Sequence, residues 1–145
     1  MNLVIKKFDE LTTVQLYEIL KLRAEIFVVE QNCPYQDLDD IDYDSLHIFY
    51  EQGRKVVAYL RIFPKKDDRD TLQIGRVLTL NHGTGLGRKV MEQAVKAVKT
   101  TNCKRAYLEA QTYSIGFYEK FGFKVISDEF ILDGIPHVKM EFDIS

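Results

Sequence analysis

Three glycines spaced two residues apart are the residues whose types and spacing point most clearly to chemistry. Gly83, Gly85 and Gly87 follow the strand-like stretch Ile74–Leu80 and lead into an amphipathic run from about Leu86 to Lys99. A strand, a glycine turn and a helix in this order expose unpaired N–H groups at the positive end of the helix dipole. Glycine also lets an anion approach the backbone without a Cβ in the way. The pattern predicts a cradle for a phosphate or pyrophosphate, with an ordinary strand-to-helix turn as the alternative.

Two other phosphate-binding loops fit the spacing less well. A P-loop needs G-x-x-x-x-G-K followed by Ser or Thr, but Arg88 stands five residues after Gly83, so that pattern fails. A Rossmann loop needs its third glycine one residue later, directly after the first strand of its unit, whereas several elements precede this turn. Glu109 stands roughly where a ribose-binding acid would fall. A nucleotide-binding protein therefore stays open as a weaker alternative.

A second motif lies about 30 residues further on, in the stretch Ser114-Ile115-Gly116-Phe117-Tyr118-Glu119-Lys120-Phe121-Gly122-Phe123. Together the two segments resemble, in the right order, the two signatures of the GNAT superfamily of N-acetyltransferases. The glycine turn matches the family pattern except at its first position, where His82 replaces the usual Arg or Gln. Four further stretches resemble the ElaA-like branch of that superfamily, so that the resemblance covers nearly the whole chain: Leu22–Tyr35, Ile74–Val77, Glu109–Gln111 and Asp133–Met140.

The resemblance implies a GNAT fold over residues 1–145 as one domain, with a central mixed β-sheet that is splayed open and flanked by helices. It also implies acetyl-CoA as the acyl donor. The strand before the turn would pair with the pantetheine arm, the turn itself would hold the pyrophosphate, and Tyr118 would act as general acid toward the departing thiolate. The donor-binding residues expected in this way are Val77, Leu78, Thr79, His82, Gly83, Thr84, Gly85, Leu86, Gly87, Arg88, Gln111, Ser114, Phe117 and Tyr118.

Acylation of an amine also needs a group that accepts the amine proton, because an alkylammonium ion has a pKa near 10.4. The candidate residues are Glu30, His47, Glu109, Asp133 and His137. Glu30 and His137 are preferred since both lie in stretches that resemble the ElaA-like branch, although a structural hydrogen bond or a solvated charge is the alternative for each. We expect the acceptor to lie between the first helix and the last hairpin, at Phe27, Gln31, Arg76 and Asp133.

Two charged features near this expected acceptor site allow more than one interpretation. Arg76 could bind an acidic group of the substrate or pair with one of the candidate carboxylates. The acidic segment 37–44 contains five aspartates and could attract a cationic amine, or it could be an ordinary solvated loop.

The hydrophobic periodicity predicts an α/β fold with a mixed sheet. A first strand at Leu3–Ile5 precedes a helix that runs from Thr12 or Thr13, as its N-cap, to Glu30. The three strands that follow, 46–51, 56–63 and 72–80, include a hairpin loop at Pro64–Asp70. After the helix 86–99, the pattern predicts a strand 105–110, a short helix 114–121 and strands at 123–131 and 137–144 around the turn Asp133-Gly134.

Composition narrows the functional class further. The chain has 145 residues, of which 46% are hydrophobic and 29% charged, with a formal net charge of −2. The near-neutral charge argues against a nucleic-acid partner, and no stretch reaches the ~20 apolar residues of a membrane span. Cys33 and Cys103 are far apart and lack metal-ligand spacing, so we expect reduced thiols, a cytoplasmic protein and no metal.

These observations lead to one functional hypothesis and a main rival, beside the nucleotide-binding protein that the glycine spacing disfavours. The hypothesis is an acetyl-CoA-dependent N-acetyltransferase in which a small-molecule amine or a protein lysine attacks the thioester directly in a ternary complex. The rival is a non-catalytic domain of the same fold that binds or senses acyl-CoA. Pairing of the last two strands between two copies would give a homodimer, a possibility that the sequence leaves open.

Overall fold

The computed structural model describes residues 1–31, 36–81 and 83–144, without the side chain of Glu30. Within this part of the chain a single mixed sheet contains eight strands in the order β1-β2-β3-β4-β5-β8-β6, and β7 also pairs with β8. The strands are β1 Asn2–Lys7, β2 Leu46–Gln52, β3 Lys55–Lys65, β4 Asp68–Thr79, β5 Arg105–Gln111, β6 Lys124–Val125, β7 Phe130–Leu132 and β8 Ile135–Asp143.

Three α-helices accompany the sheet: α1 Thr13–Ala24, α2 Leu86–Lys99 and α3 Ile115–Glu119. The predicted N-cap of α1 is confirmed, because the Thr12 hydroxyl accepts a hydrogen bond from the Gln15 N–H and the Gln15 side chain accepts one from the Thr12 N–H. This reciprocal arrangement satisfies two donors at the start of the helix. The predicted helix to Glu30 continues after Ala24 as a π-helical turn, Glu25–Glu30. No helix of the described residues is both long and apolar enough to cross a membrane.

The two faces of the sheet bury separate apolar clusters. On one face, α2 packs its buried residues Val90, Met91, Ala94 and Val98 against alternate residues of β3, β5 and β8. On the other face, α1 packs Ile19 and Leu22 against residues of β2, β3 and β4. Because β3 is covered on both sides, its run from Val56 to Phe63 is buried throughout.

The centre of the sheet is split, as the resemblance implies. Strands β4 and β5 run parallel but pair over only three residues each, Thr71–Gln73 and Arg105–Tyr107. Beyond these pairs β4 continues to Thr79 and β5 to Gln111 without further pairing between them. The two strands therefore diverge toward the end where α2 begins, which leaves an open V between them.

A bulge in β4 accompanies this divergence. On β3, Tyr59 and Arg61 are two positions apart. Their partners on β4, Leu78 and Gly75, are three positions apart, so β4 contains one extra residue here. The extra residue is accommodated at Arg76, whose φ of 54° lies in the left-handed region. A bulge of this kind bends its strand and increases the local twist.

The predicted bounds of the hairpin loop between β3 and β4 are wrong. The predicted loop Pro64–Asp70 shrinks to a tight turn at Lys66 and Asp67, since Asp68–Asp70 already belong to β4. Their charged side chains lie at the exposed end of the hairpin, where strand pairing does not bury them.

The predicted strand 123–131 is interrupted between β6 and β7. Four residues separate Val125 from Phe130, while their partners on β8, Met140 and His137, have two residues between them. The loop formed by the extra residues remains hydrogen-bonded, because the Ser127 hydroxyl accepts a bond of 2.8 Å from the N–H of Lys139.

Candidate functional site

The glycine turn leaves the start of α2 free of side-chain caps. Gly83 and Gly85 both have left-handed backbones, with φ of 79° and 80°, and Gly85 occupies the N-cap position without a side chain to accept a hydrogen bond. The first bond of the helix runs from the N–H of Lys89 to the carbonyl of Gly85. The N–H groups of Leu86, Gly87 and Arg88 therefore have no partner within the helix. His82, which was expected to help hold the pyrophosphate, lies outside the described residues.

Gly87 brings the turn close to two other expected donor-binding residues. A Cβ at this position would lie 3.5 Å from Cγ2 of Thr79 and 3.6 Å from Cζ of Phe117. The first turn of α2 therefore packs directly against the end of β4 and against α3. This contact joins the glycine motif to the Phe-Tyr motif, which is more than 25 residues away in the sequence.

The strand segment Val77–Thr79 lies beyond the last pair between β4 and β5. Leu78 is buried in the α1-side cluster, and Val77 packs against the α2-side cluster. The side chains anchor the segment on both faces of the sheet, so its backbone edge toward β5 faces the open V. This is the geometry that an extended ligand needs in order to add to the edge of a strand.

Tyr118 lies in an aromatic cluster on α3. Its ring meets Phe117 edge to face with centroids 5.1 Å apart, and Phe123 packs at 6.3 Å. Burial, with a smaller contribution from Tyr113, raises the pKa of the Tyr118 phenol above its usual value. The hydroxyl is therefore protonated at neutral pH. Ser114, expected to contact the donor, stands at the N-cap position of α3 without a side-chain hydrogen bond to the helix.

His137, a preferred candidate for the proton acceptor, lies on the face of β8 opposite to the residues against which Tyr118 packs. Its neighbours Val138 and Met140 belong to the cluster against which Tyr118 packs, and strand alternation turns His137 to the opposite face of β8. The imidazole is buried, with Nδ1 2.7 Å from the carbonyl oxygen of Ile135 and its ring beside Phe130. The side chain of Glu30, its expected companion, lies outside the described structure.

Asp133 occupies the tip of the β7–β8 hairpin rather than the floor of a cleft. Asp133 and Gly134 have φ of 52° and 76°, as the two central residues of a tight hairpin turn require. The turn predicted at these two residues is therefore confirmed, since Leu132 pairs with Ile135. The Asp133 side chain is exposed, and the geometry of the hairpin turn accounts for its position.

His47, another candidate proton acceptor, is fully engaged in the interior. Its Nε2 lies 3.0 Å from the carbonyl oxygen of Asp42, which can only accept, so Nε2 donates and Nδ1 accepts from the Tyr59 hydroxyl at 2.6 Å. Burial lowers the pKa of this imidazole. His47 is therefore a neutral structural group with both ring nitrogens occupied.

Glu109 lies where the two diverging strands part. It follows the last β5 residue that pairs with β4, Tyr107, by two positions and lies on the same face of the strand. The Tyr107 hydroxyl donates a hydrogen bond of 2.8 Å to Glu109 Oε2, and the ammonium group of Lys65 lies over the Tyr107 ring at 4.9 Å. Gln111 ends the strand and pairs with His137. The half-buried Glu109 carboxylate is thus held by a hydrogen bond from its own strand, close to the point where pairing with β4 ends.

Sequence reasoning missed the partners of the acidic segment. Three aspartates of the segment form ion pairs with three arginines from α1, β3 and β4: Asp37, Asp39 and Asp42 with Arg23, Arg61 and Arg76. These carboxylates do not remain free to attract a cationic amine. The signal available in the sequence was Arg61, a charged residue within the otherwise apolar run from Val56 to Phe63.

A cavity of about 590 Å³ lies elsewhere, at the C-terminal end of α2. Its walls include Leu46, Phe63, Leu72 and Val98. Because the glycine turn is at the other end of the same helix, this cavity is separate from the site described above.

Comparison with known proteins agrees with this geometry. Residues 15–144 match the family described as "Acetyltransferase (GNAT) domain". This chain belongs to the GNAT acetyltransferase family. Members of the family generally bind acetyl-CoA or CoA.

Individual GNAT relatives place the chain near ElaA. It is 39% identical to the protein ElaA of Escherichia coli over 94% of this chain and 92% of that protein. The uncharacterized N-acetyltransferase YjcF of Bacillus subtilis is 35% identical over 99% of this chain and its own full length. The ElaA crystal structure superposes with a TM-score of 0.89 and 36% identity over 97% of each chain. An acyl-CoA N-acyltransferase from Pseudomonas aeruginosa superposes with a TM-score of 0.90 and 34% identity, covering 97% of this chain and 99% of that one.

In this member of the ElaA-like branch of the GNAT family, the glycine turn, the end of β4 and α3 are in contact through Gly87, Thr79 and Phe117. Glu109 follows the last residue of β5 that pairs with β4 by two positions. Phe27 and Arg76, expected at the acceptor site, are also in contact, because the guanidinium group lies over the phenyl ring at 5.4 Å. The half-buried Gln31 follows the π-helical turn and donates its N–H to the carbonyl of Ile26.

Proposed function

We propose that this GNAT-family protein transfers an acetyl group from acetyl-CoA to an amine by direct attack in a ternary complex. The observation that carries the proposal is the open V between β4 and β5, beside which the uncapped start of α2 contacts Thr79 of β4 and Phe117 of α3. Acetyl-CoA fits this layout, because its anionic phosphates would meet the backbone N–H groups at the start of α2 while its thioester would lie near the Tyr118 hydroxyl.

The donor would bind along this V. The free N–H groups at the start of α2 are suited to the pyrophosphate, where the helix dipole adds to their attraction. The backbone edge of Val77–Thr79 is suited to the amides of the pantetheine arm. Gly87 supports this placement, since a Cβ there would already be in van der Waals contact with Thr79 and Phe117, which shows how closely the turn approaches β4 and α3.

Tyr118 would act as the general acid toward the leaving sulfur. The amine nitrogen attacks the thioester carbon, the C–S bond breaks, and the leaving sulfur accepts a hydrogen bond and then a proton from the phenol, which regains its proton from water. A phenol with a raised pKa is neutral at working pH and can donate its proton without first having to acquire one. Its raised pKa limits its strength as an acid, so the hydroxyl stabilises the developing thiolate most strongly through a hydrogen bond.

Glu109 is our choice for the group that accepts the amine proton, directly or through water. It lies at the fork of the V, whereas both ring nitrogens of His47 are occupied by structural hydrogen bonds, and the buried His137 on β8 has its Nδ1 against the carbonyl oxygen of Ile135. The hydrogen bond from Tyr107 orients one oxygen of the carboxylate. The second oxygen is then the one that would meet the substrate.

Ligand-dependent thermal stability tests the donor site. Acetyl-CoA and CoA should raise the melting temperature in a concentration-dependent way, because a ligand of the folded state stabilises it by mass action. NAD and ATP at the same concentrations should raise it much less. The Gly85→Asp variant should lose the acetyl-CoA shift, since it introduces a negative charge beside the N–H groups.

Gly53→Asp provides the matched control for this variant. Both glycines have left-handed φ values and open space where a Cβ would go, but Gly53 lies in the β2–β3 turn. The two variants should therefore carry similar backbone strain while only Gly85→Asp weakens acetyl-CoA binding. Equal binding in both variants would show that the turn does not hold the donor.

A turnover assay distinguishes an N-acetyltransferase from the rival, a non-catalytic domain that binds or senses acyl-CoA. Release of CoA thiol should accompany incubation with acetyl-CoA and a panel of primary amines, including a lysine peptide, and acetylated amine should be detected by mass. Tight acetyl-CoA binding without transfer to any amine in the panel would instead favour the non-catalytic domain.

A further inference from the structure

We propose that Arg76 is a positioning residue that holds the β4 bulge in place and thereby fixes the donor-binding edge Val77–Thr79. This inference rests on the proposed function for its catalytic consequence, but its structural content can be measured without turnover. Nothing in the glycine or tyrosine motifs accounts for Arg76, although it immediately precedes that edge.

The backbone of Arg76 is unfavourable by itself. A φ of 54° puts an L-residue with a long side chain in the left-handed region, where Cβ approaches the following carbonyl. Such conformations persist when surrounding interactions determine them, and they concentrate at functional sites. An exposed position with free choice of residue would favour glycine here.

The side chain of Arg76 supplies those interactions. Its Nε donates to Asp37 Oδ1 at 2.8 Å, and its Nη2 donates to the Asp37 carbonyl oxygen at 3.0 Å and to Asp39 Oδ2 at 3.4 Å. The same guanidinium stacks over Phe27 of the π-helical turn. Because its donors already serve these partners, Arg76 is poorly suited to capture an acidic substrate.

Asp37 in turn connects the bulge to α1. Its second oxygen accepts from Arg23 Nε at 2.8 Å, and its carbonyl accepts from Arg23 Nη2 at 3.1 Å. Arg23 is completely buried and also donates to Asp42 at 2.7 Å. The carboxylate of Asp37 therefore bridges a guanidinium fixed in the α1 interface and the guanidinium at the bulge.

Asp39 ties the bulge to the neighbouring strand. It accepts two hydrogen bonds from Arg61, at 2.9 and 2.6 Å, in the bidentate geometry that gives such pairs their directional strength. Arg61 pairs in register with Gly75, the residue just before Arg76. The extra residue in β4 is thus held from α1 and from β3 at once, and the strand that leaves it toward Thr79 starts from a defined direction.

The test compares glycine substitutions at two residues with left-handed φ, Arg76 in β4 and Asp67 in the β3–β4 turn. Arg76→Gly removes the guanidinium but suits the backbone, so the fold and thermal stability should survive. We expect the acetyl-CoA dissociation constant to rise about tenfold, and amide hydrogen exchange at Val77–Thr79 to accelerate. The control is Asp67→Gly in the β3–β4 turn, where φ is 64°. Asp67→Gly should change neither the acetyl-CoA dissociation constant nor the hydrogen exchange at Val77–Thr79.

Asp37→Asn provides a second variant with the side-chain shape preserved. It should shift exchange and affinity in the same direction by a smaller amount, and the double variant with Arg76→Gly should be little worse than Arg76→Gly alone, as expected for residues that act through one another. Unchanged exchange at Val77–Thr79 in Arg76→Gly, or in Asp37→Asn should Arg76→Gly fail to fold, would overturn the proposal. Failure of the wild-type protein to bind acetyl-CoA would instead count against the proposed function, because hydrogen exchange does not depend on the ligand.

Discussion

At the scale of single residues, Tyr118 shows how burial decides what a side chain can contribute. A phenol in water has a pKa near 10, slightly above that of a thiol, and burial among aromatic rings raises the pKa of Tyr118 further. The group is therefore a reliable hydrogen-bond donor across the neutral and moderately alkaline range. Its titration should not limit activity in that range.

Removal of the hydroxyl should separate catalysis from binding. Tyr118→Phe keeps the ring and its edge-to-face contacts, so kcat should fall by ~10²–10⁴, the usual contribution of one general acid, while the acetyl-CoA dissociation constant changes little. Tyr113→Phe, at a neighbouring and largely exposed tyrosine, serves as control and should retain activity. Steady-state kinetics and calorimetric binding measure both quantities. A Tyr118→Phe variant within a factor of about two of wild-type kcat would remove the residue from the mechanism.

At the scale of elements, the divergence of β4 and β5 determines which side chains can meet a substrate. Pairing ends at Gln73 and Tyr107, so the next residue on the same face of β5, Glu109, comes to the fork. A carboxylate there is supported by one strand and faces the gap left by the other.

Substitution of Glu109 tests its role as proton acceptor. Glu109→Gln should lower kcat/KM for amines by about 10²-fold, because one positioned base typically contributes 10²–10⁴, and acetyl-CoA affinity should be kept. Glu141→Gln on the adjacent strand β8, where Glu141 pairs with Tyr107, is the matched control and should have little effect. If Glu109→Gln keeps the wild-type rate while His137→Ala loses it, the proton acceptor lies on the last hairpin after all.

At the scale of the whole molecule, a buried polar network connects α1, the acidic segment and the centre of the sheet. Its arginines hold the pKa values of Asp39 and Asp42 below the usual range despite burial, and burial lowers the pKa of His47. All three groups make folding stability depend on pH in the same direction, since each binds protons more readily in the unfolded chain.

Acidification should therefore destabilise the protein in two steps. The contribution of His47 is fully present above its unfolded pKa of about 6.5 and is lost as the pH falls from there toward its lower folded pKa. The contributions of Asp39 and Asp42 are present above about 3.9 and are lost at lower pH. Urea unfolding between pH 8 and pH 5 should show the first step, and His47→Gln should flatten it even though the variant is less stable overall. A wild-type free energy of unfolding that stays constant from pH 7.5 to pH 5 would contradict this account.

Local physical chemistry determined much of the fold and part of the site from the sequence. The bounds of α2, Leu86–Lys99, coincide with the predicted ones because an amphipathic period and a glycine turn act within a few residues. The same holds for the Thr12 cap and the turn at Asp133 and Gly134. The side chains of the predicted strand 137–144 alternate between two faces, which separates His137 from Val138 and Met140. Which of these faces carries Tyr118 does not follow from the sequence.

Tertiary structure alone decided which charges meet and where the sheet opens. Asp37 and Arg76 are 39 residues apart, and no local pattern distinguishes a paired carboxylate from a solvated one. Pairing between β4 and β5 stops after three residues because a bulge redirects β4, which depends on partners in α1 and β3. Local preferences decide helices, caps and turns over a few residues, whereas ion pairs and strand divergence depend on distant segments that only the complete fold brings within contact distance.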